Sequence, residues 1–175
     1  MMGKAKDPGS AREAELARMM EQYGAALVGT CAMLLGDYDL AQDAVQETFI
    51  KAYRAMDGLR REHAGSEKAW LTRIAVNVCR DHQRTKWFRF VDRGKDIDAL
   101  MLPAPNAGEQ ARELSSAVQS LPRRHREIIL LHYYQDMQAR EIAEVLGVSR
   151  QTVYRRLEAA RQALKRILER WDFCG

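Results

Sequence analysis

Basic side chains accumulate toward the end of the chain, where they could pair with phosphate groups. The chain has 175 residues and a formal net charge of +4. Between Ser149 and Arg170 it carries seven Arg or Lys side chains against two carboxylates, Glu158 and Glu169. Binding to nucleic-acid phosphates requires a local cationic surplus of this kind, but a solvated helix face would have the same composition. The charge alone therefore leaves both interpretations open.

The segment from Gln138 to Leu157 adds a stronger signal, because its residues follow the order of a helix-turn-helix. Gly147 can adopt the positive φ that ends a first helix, and Ser149 can cap a second one. The second helix would turn Val153 and Leu157 inward and present its other side chains to the major groove and phosphates of DNA. These candidates are Ser149, Arg150, Gln151, Thr152, Tyr154, Arg155, Arg156 and Arg161. An ordinary helical hairpin is the alternative.

An acidic stripe is predicted on a helix in the first half of the chain. Its members are Asp39, Asp43, Gln46, Glu47 and Ile50, and Phe49 and Tyr53 lie near its margin. An acidic helix face bordered by apolar side chains suits a basic protein partner better than nucleic acid. A solvated face with a capping role explains the same pattern, so the stripe does not establish a partner by itself.

Basic and aromatic side chains are interleaved between Trp70 and Phe90. The cations are Arg73, Arg80, Arg84, Lys86 and Arg89, and the aromatic residues are Trp70, Trp87, Phe88 and Phe90. Such a mixture is typical of surfaces that bind single-stranded or melted DNA, because bases stack on the rings and phosphates pair with the cations. The alternative is that Trp70 belongs to the core, which we favour for this residue.

The sequence contains no arrangement suited to covalent chemistry. We find no nucleophile–base pair, phosphate-binding loop or metal cluster. Cys31, Cys79 and Cys174 are odd in number and far apart, which predicts no disulfide framework and a reducing compartment. Cys79 and His82 could share a helix face, but two ligands do not make a zinc site. We therefore expect no enzymatic activity, no metal, no cofactor and no small-molecule substrate.

Helical periodicity dominates the chain and predicts an all-α fold with two small domains, over residues 12–90 and 109–171. Pro and Gly interrupt the pattern between them, so residues 91–108 are predicted to form a flexible linker. In the first domain we predict separate helices around Leu16–Tyr23 and over Ala26–Leu35, then a helix opened by a capping box at Asp39 and another starting at Ser66. Each domain is near the lower size limit for a self-sufficient core.

Three of these segments together resemble the bacterial sigma-70 family of RNA polymerase sigma factors, in its small extracytoplasmic-function group. They are residues 43–57 (DAVQETFIKAYRAMD), residues 70–84 (WLTRIAVNVCRDHQR) and residues 121–164 around the helix-turn-helix. Their order and separation match the σ2 and σ4 domains of that group. The resemblance covers nearly the whole chain apart from the linker and the tail.

The resemblance implies a role for each segment. The acidic stripe would dock on the clamp helices of the polymerase β′ subunit, and σ4 would meet the β flap. The loop around Leu59–Glu67 would accept a base flipped from the −10 promoter element. The helix beside it would border that element through Arg73, Asn77, Arg80, Asp81 and Arg84. Residues Ser149 to Arg161 would recognise the −35 element. An anti-sigma factor is a further implied partner, and the expected location is the cytoplasm.

Some residues depart from the family's pattern. Gln151, Tyr154 and Arg155 stand where the family often has Gly, Lys and Ser, and Glu158 replaces a frequent His. These positions lie on the presumed base-reading face, so the −35 sequence of relatives does not carry over. A stand-alone helix-turn-helix regulator is the main rival hypothesis, and a protein that binds polymerase without initiating is a second one.

Overall fold

The computed structural model describes residues 8–58, 66–84 and 109–172. We call residues 8–84 of this set the N-terminal half and residues 109–172 the C-terminal half. The described residues form seven α-helices and contain no β-strand. The predicted linker, the aromatic residues 87–90, most of the loop around Leu59–Glu67 and the last three residues lie outside the described residues.

The N-terminal half consists of three long helices. They are α1 (Pro8–Leu35), α2 (Tyr38–Ala55) and α3 (Ser66–Arg84), with a short 3₁₀ turn at Met56–Gly58. The prediction of two helices before Leu35 is wrong, because α1 runs through Gly24 without a break. Met19, Leu27 and Cys31 are fully buried along one face of it. Burial of that continuous face outweighs the propensity cost of a helical glycine, which is about 1 kcal/mol.

The start of α2 also differs from the prediction. Asp37, not Asp39, is the N-cap, and its carboxylate accepts a hydrogen bond from the Leu40 amide at 3.1 Å. Asp39 lies in the first turn, where its negative charge interacts favourably with the positive end of the helix dipole. Gly36, with φ of 72°, makes the left-handed turn between α1 and α2.

The C-terminal half contains four helices. They are α4 (Glu109–Ser120), α5 (Arg123–Ile129), α6 (Ala139–Leu146) and α7 (Arg150–Asp172). A π-helical segment, Leu130–Tyr134, extends α5 beyond the regular α-helix, and the Gln135 amide donates to the Leu130 carbonyl at 2.9 Å. The helical segment that begins at Arg123 therefore changes its hydrogen-bonding pattern from Leu130 onward. Such π segments shift the side chains that come after them.

The two halves pack against each other in this structure. Buried residues of both halves form one contiguous hydrophobic cluster, in which Leu71 and Val78 of α3 belong to the same core as Ile128 of α5 and Ile142 of α6. Helix α3 lies against α6, and α1 lies against α4, α5 and the π-helical segment. The sequence predicts two small separate cores, so the shared core is the main architectural difference from that expectation.

Candidate nucleic-acid and protein-binding surfaces

The helix-turn-helix has the local geometry that the sequence predicts. Gly147 ends α6 with φ of 67°, and the Val148 amide donates to the Ala143 carbonyl at 3.0 Å. The Ser149 hydroxyl accepts a hydrogen bond from the Thr152 amide at 3.2 Å, which caps α7. Val153 is fully buried, and Leu157 is nearly so. The turn thereby fixes which side of α7 points outward.

The outward side of α7 carries most of the residues predicted to contact DNA. Arg150, Gln151, Tyr154 and Arg155 are exposed, and we call these four side chains the reading face. Tyr154 is 63% exposed although it is a large aromatic residue. Thr152 and Arg156 are half-buried at its edge. Four exposed side chains at the N-terminal end of a helix that begins after a tight turn can reach base edges and phosphates in a major groove.

A protein group also engages the guanidinium of Arg161, the last of the residues predicted to contact the −35 element. Its Nε donates to the hydroxyl of Tyr133 at 2.7 Å, and its guanidinium lies over the Tyr133 ring at 5.7 Å from the centroid. Tyr133 comes from the π-helical segment and is 58% exposed. No sequence pattern signals this pair, since 28 residues separate the two side chains.

Helix α3 presents four of its five predicted DNA contacts on one exposed face. Four residues are exposed at spacings of four, four and three positions, namely Arg73, Asn77, Asp81 and Arg84. We call them the strand face, because they are predicted to contact the melted DNA strand. Arg84 donates to Asp81 at 2.7 Å along this face. Trp70 is half-buried against the core, in agreement with the core interpretation favoured from the sequence. The strand face can contact phosphates through its arginines and base edges through Asn77.

Arg80, the fifth predicted contact, is half-buried beside this face, because its guanidinium contacts the C-terminal half. Its Nε donates to Glu127 Oε1 at 2.9 Å and its Nη2 donates to Glu127 Oε2 at 2.8 Å. Glu127 lies in α5 and is 3% exposed, so the pair joins the two halves of the molecule. The hydrogen bonds to this carboxylate raise the pKa of Arg80 above its ordinary value. Sequence reasoning did not identify Glu127 as a functional residue. Its role depends on contact with Arg80, which lies 47 residues earlier in the chain and on a different helix.

The acidic stripe is largely accessible on α2. Asp39, Asp43 and Gln46 are exposed, while Glu47 is half-buried. Phe49 is 5% exposed and belongs to the core, so its ring packs α2 against the rest of the protein and is not at the surface. Tyr53 is half-buried beneath Arg12, whose guanidinium lies 5.1 Å from the ring centroid. Ile50, the apolar member of the stripe, is 48% exposed.

Glu47 is held by two side chains, Lys51 and His82. Lys51 Nζ lies 2.7 Å from Oε1, and His82 Nε2 of α3 lies 3.1 Å from Oε2. The hydrogen bond from Lys51 is the main reason that the pKa of Glu47 is below its ordinary value, and His82 adds to it. The Glu47 carboxylate is thereby kept charged and fixed at the end of the stripe nearest α3.

The two side chains that the sequence offered as metal ligands do not converge. Cys79 is buried, and a hydrogen bond with Cys31 together with burial raises the pKa of its thiol. His82 turns instead to Glu47. Among residues 8–58, 66–84 and 109–172, no group of three or more His, Cys, Asp or Glu side chains could hold a metal ion. None of the described helices combines the length and apolar character needed to cross a bilayer.

Two family models match the chain, the first mainly in its N-terminal half and the second in its C-terminal half. The model for Sigma-70 region 2 matches residues 19–89, and the model for Sigma-70, region 4 matches residues 111–164. Curated relatives span nearly the whole chain. The RNA polymerase sigma factor NccH of Alcaligenes xylosoxydans xylosoxydans is 32% identical over 87% of this chain and 86% of its own length. The ECF RNA polymerase sigma factor SigL of Mycobacterium tuberculosis is 28% identical over 96% and 97%.

Solved structures similar to this chain cover both halves. CnrH, in complex with the cytosolic domain of CnrY, superposes with a TM-score of 0.69 at 26% identity, covering 90% of this chain and 89% of CnrH. The sigma factor RpoE, in complex with the anti-sigma factor NepR from Bartonella quintana, superposes with a TM-score of 0.72 at 24% identity, covering 89% and 97%. The second likeness concerns the fold alone.

Proposed function

Since the chain belongs to the extracytoplasmic-function group of the sigma-70 family of RNA polymerase sigma factors, we propose how its exposed faces serve promoter recognition. The chain is a transcription initiation factor that binds core RNA polymerase and promoter DNA. No catalytic family is indicated for it, and the polymerase performs the covalent chemistry. The contacts with DNA and polymerase are divided among the reading face, the strand face and the acidic stripe.

The reading face of α7 recognises the −35 element. The observation that carries this proposal is the exposure of Arg150, Gln151, Tyr154 and Arg155 on a helix whose entry is fixed by Gly147. Glutamine can pair with adenine and so discriminate bases, and the two arginines can donate hydrogen bonds to phosphates and so fix the position of the helix in the groove. The Tyr154 ring can contact a thymine methyl group. This combination favours a −35 sequence particular to this chain.

The strand face of α3 borders the −10 element. Arg73 and Arg84 provide cations, and Asn77 provides an amide that can donate and accept hydrogen bonds. Extruding a base from the duplex costs a few kcal/mol, which contacts to the melted strand must offset. The proposed acceptor loop around Leu59–Glu67 lies almost entirely outside the described residues, so its contribution stays a prediction.

The acidic stripe of α2 docks on the clamp helices of the β′ subunit. Asp39 and Asp43 present their carboxylates to solvent, and Ile50 adds an apolar contact next to them. Charges of this kind steer association, while a desolvated apolar side chain contributes affinity. The β flap stays a predicted partner of the C-terminal half with no residue assigned to it.

Binding to polymerase makes the two DNA contacts cooperate. Once the C-terminal half holds the −35 duplex, the strand face meets the −10 element at a high effective concentration. The same reasoning explains why free protein would bind promoter DNA poorly. We also propose that an anti-sigma factor binds this chain, because the similar sigma factor RpoE was solved in complex with the anti-sigma factor NepR. The cytoplasm, where polymerase acts, is the proposed location.

In vitro transcription tests the function directly. Core polymerase from the organism that encodes the chain is incubated with genomic DNA, with and without the protein, and the 5′ ends of the transcripts are sequenced. We expect starts that require the protein and share two upstream elements. An absence of protein-dependent starts would contradict the proposed function. Tight and specific DNA binding without polymerase would favour the stand-alone regulator instead.

The docking surface is tested with charge-reversed variants. Asp39→Arg combined with Asp43→Arg should lower affinity for core polymerase by at least about tenfold, because both carboxylates would become repulsive to a basic partner. Glu13→Arg combined with Glu21→Arg is the matched control, since both glutamates are exposed on α1. Affinity is measured by fluorescence anisotropy of labelled protein. Equal losses in both double variants would mean that the stripe is not the docking surface.

A further inference from the structure

The contact between the two halves contains polar groups that are satisfied across it. The Gln135 side chain is 2% exposed and donates to the Ala26 carbonyl at 3.0 Å and to the Thr30 hydroxyl at 2.6 Å, both in α1. Arg126 of α5 donates to the Leu34 carbonyl at 3.1 Å. Lys68 of α3 donates to the Gln135 carbonyl. If the halves separated, water could take the place of each of these partners, so opening would leave none of these polar groups without a hydrogen bond.

The Arg80–Glu127 contact joins two oppositely charged side chains across this interface. It is bidentate, with two hydrogen bonds in the fork geometry that guanidinium also uses for a phosphate. Glu127 is 3% exposed, while the Arg80 side chain is 24% exposed. Arg123, one helical turn before Glu127, has its Nε 3.7 Å from Glu127 Oε1 and can retain the carboxylate after the halves separate.

The physics of such a pair suits a reversible contact. Removing two charges from water offsets most of their attraction, so the complete pair adds little net stability. Loss of one partner leaves an uncompensated buried charge and is therefore costly while the halves stay together. Occupation of Arg80 by another anion would have the same consequence as its loss, because Glu127 would be left buried without its main partner.

We propose that Glu127 occupies Arg80 in place of a DNA phosphate and thereby holds the free protein closed. The inference rests on the proposed function, because it takes Arg80 as a phosphate ligand beside the strand face. Arg80 comes after Arg73 and Asn77 on α3 and precedes Arg84 by one turn, so a strand that tracks this helix passes close to it. Closed packing and contact of DNA with Arg80 exclude each other. Polymerase docking, which separates the halves, releases Arg80 for the promoter.

The experiment measures the distance between the halves in the full chain. Spin labels are placed at Gln42→Cys in α2 and Gln162→Cys in α7, both exposed positions, in a Cys174→Ser background. Glu127→Gln removes the charge and keeps the side-chain shape. Arg80→Lys keeps the charge and removes the fork, and it serves as the second variant if the first fails to fold. Glu169→Gln is the control, since it removes a carboxylate from an exposed ion pair with Lys165.

We expect one short distance in the wild type and in Glu169→Gln. Glu127→Gln and Arg80→Lys should each increase the population at longer distances by about tenfold. The double variant should add little to either single change, because both disrupt the same pair. Distances unchanged from the wild type in both single variants would overturn the proposal.

DNA affinity tests the competition between Glu127 and phosphate. Without polymerase, Glu127→Gln should bind a labelled single-stranded oligonucleotide of mixed sequence about tenfold more tightly than wild type at low salt. An opened variant with unchanged affinity would overturn the assignment of Arg80 to phosphate. Transcription by the wild-type protein with saturating core polymerase distinguishes a failure of this inference from a failure of the proposed function. If the transcripts appear but Glu127→Gln stays closed, only this inference fails, whereas absent transcripts contradict the proposed function.

Discussion

Phe49 and Ile50 are neighbours in α2, and the helix turns them to different surroundings. Phe49 is 5% exposed in the core, and Ile50 is 48% exposed in the acidic stripe. Successive helical residues point about 100° apart, so two neighbours at the edge of a buried helix face can have different surroundings. One of them packs in the core and stabilises the fold, and the other faces solvent and can contact a partner. Both side chains are apolar; helical spacing predicts Ile50 in the stripe and Phe49 at its margin, and the packing adds that Phe49 belongs to the core.

Truncation of these two residues should therefore have different effects. Phe49→Ala should lower the free energy of unfolding by about 3–5 kcal/mol, because it removes a buried ring and leaves a cavity. Ile50→Ala should change it by less than about 0.5 kcal/mol but weaken binding to core polymerase. Urea denaturation and polymerase affinity are measured for both. Similar stability losses in the two variants would contradict the difference in burial between the two side chains.

Cys31 and Cys79 should resist modification in the folded protein. Both thiols are buried, and contact with Cys31 together with burial raises the pKa of Cys79, so the reactive thiolate is scarce near neutral pH. In a Cys174→Ser variant we expect reaction with a thiol reagent at least about a hundredfold slower than in denaturant. Rapid labelling of two thiols in the native state would show that α1 and α3 separate readily.

At the scale of elements, the sequence predicts best those features that depend only on residues close together in the chain. The turn before α7 can be predicted from Gly147 and Ser149, because one allows a positive φ and the other supplies a capping hydroxyl. Its outward residues can be predicted from helical periodicity. The continuity of α1 through Gly24 could not be predicted this way, since it depends on burial against α2 and α3.

The salt dependence of promoter binding tests the role of α7. Arg150→Ala and Arg155→Ala should each weaken holoenzyme binding to the mapped promoter and reduce the slope of log affinity against log salt by about 1, because each removes a phosphate contact. Arg166→Ala is the control on the same helix, about three turns beyond the reading face. An unchanged slope in the first two variants would mean that these arginines contact bases or solvent and not phosphate.

At the scale of the whole molecule, pairing between distant residues determines the arrangement. Arg80 and Glu127 each look like ordinary charged residues in the sequence, and Gln135 looks like a polar residue at a helix end. Their roles arise only when α1 and α3 meet the C-terminal half, and no helical periodicity encodes a contact across a predicted linker. The family resemblance implies the partners of each half but not the contact between them.

The shared core predicts that the two halves unfold together when polymerase is absent. Trp70 lies in α3 and position 171 lies in α7, so variants retaining one tryptophan each, with Trp87→Phe, report on the two halves separately. Urea denaturation followed by each fluorescence signal should give coincident midpoints, because one contiguous cluster of buried residues joins the halves. Glu127→Gln should separate the midpoints, since the halves then gain less from each other. Different midpoints in the wild type would show that the interface contributes too little to couple them, and the closed arrangement would then be only one of several states of the free protein.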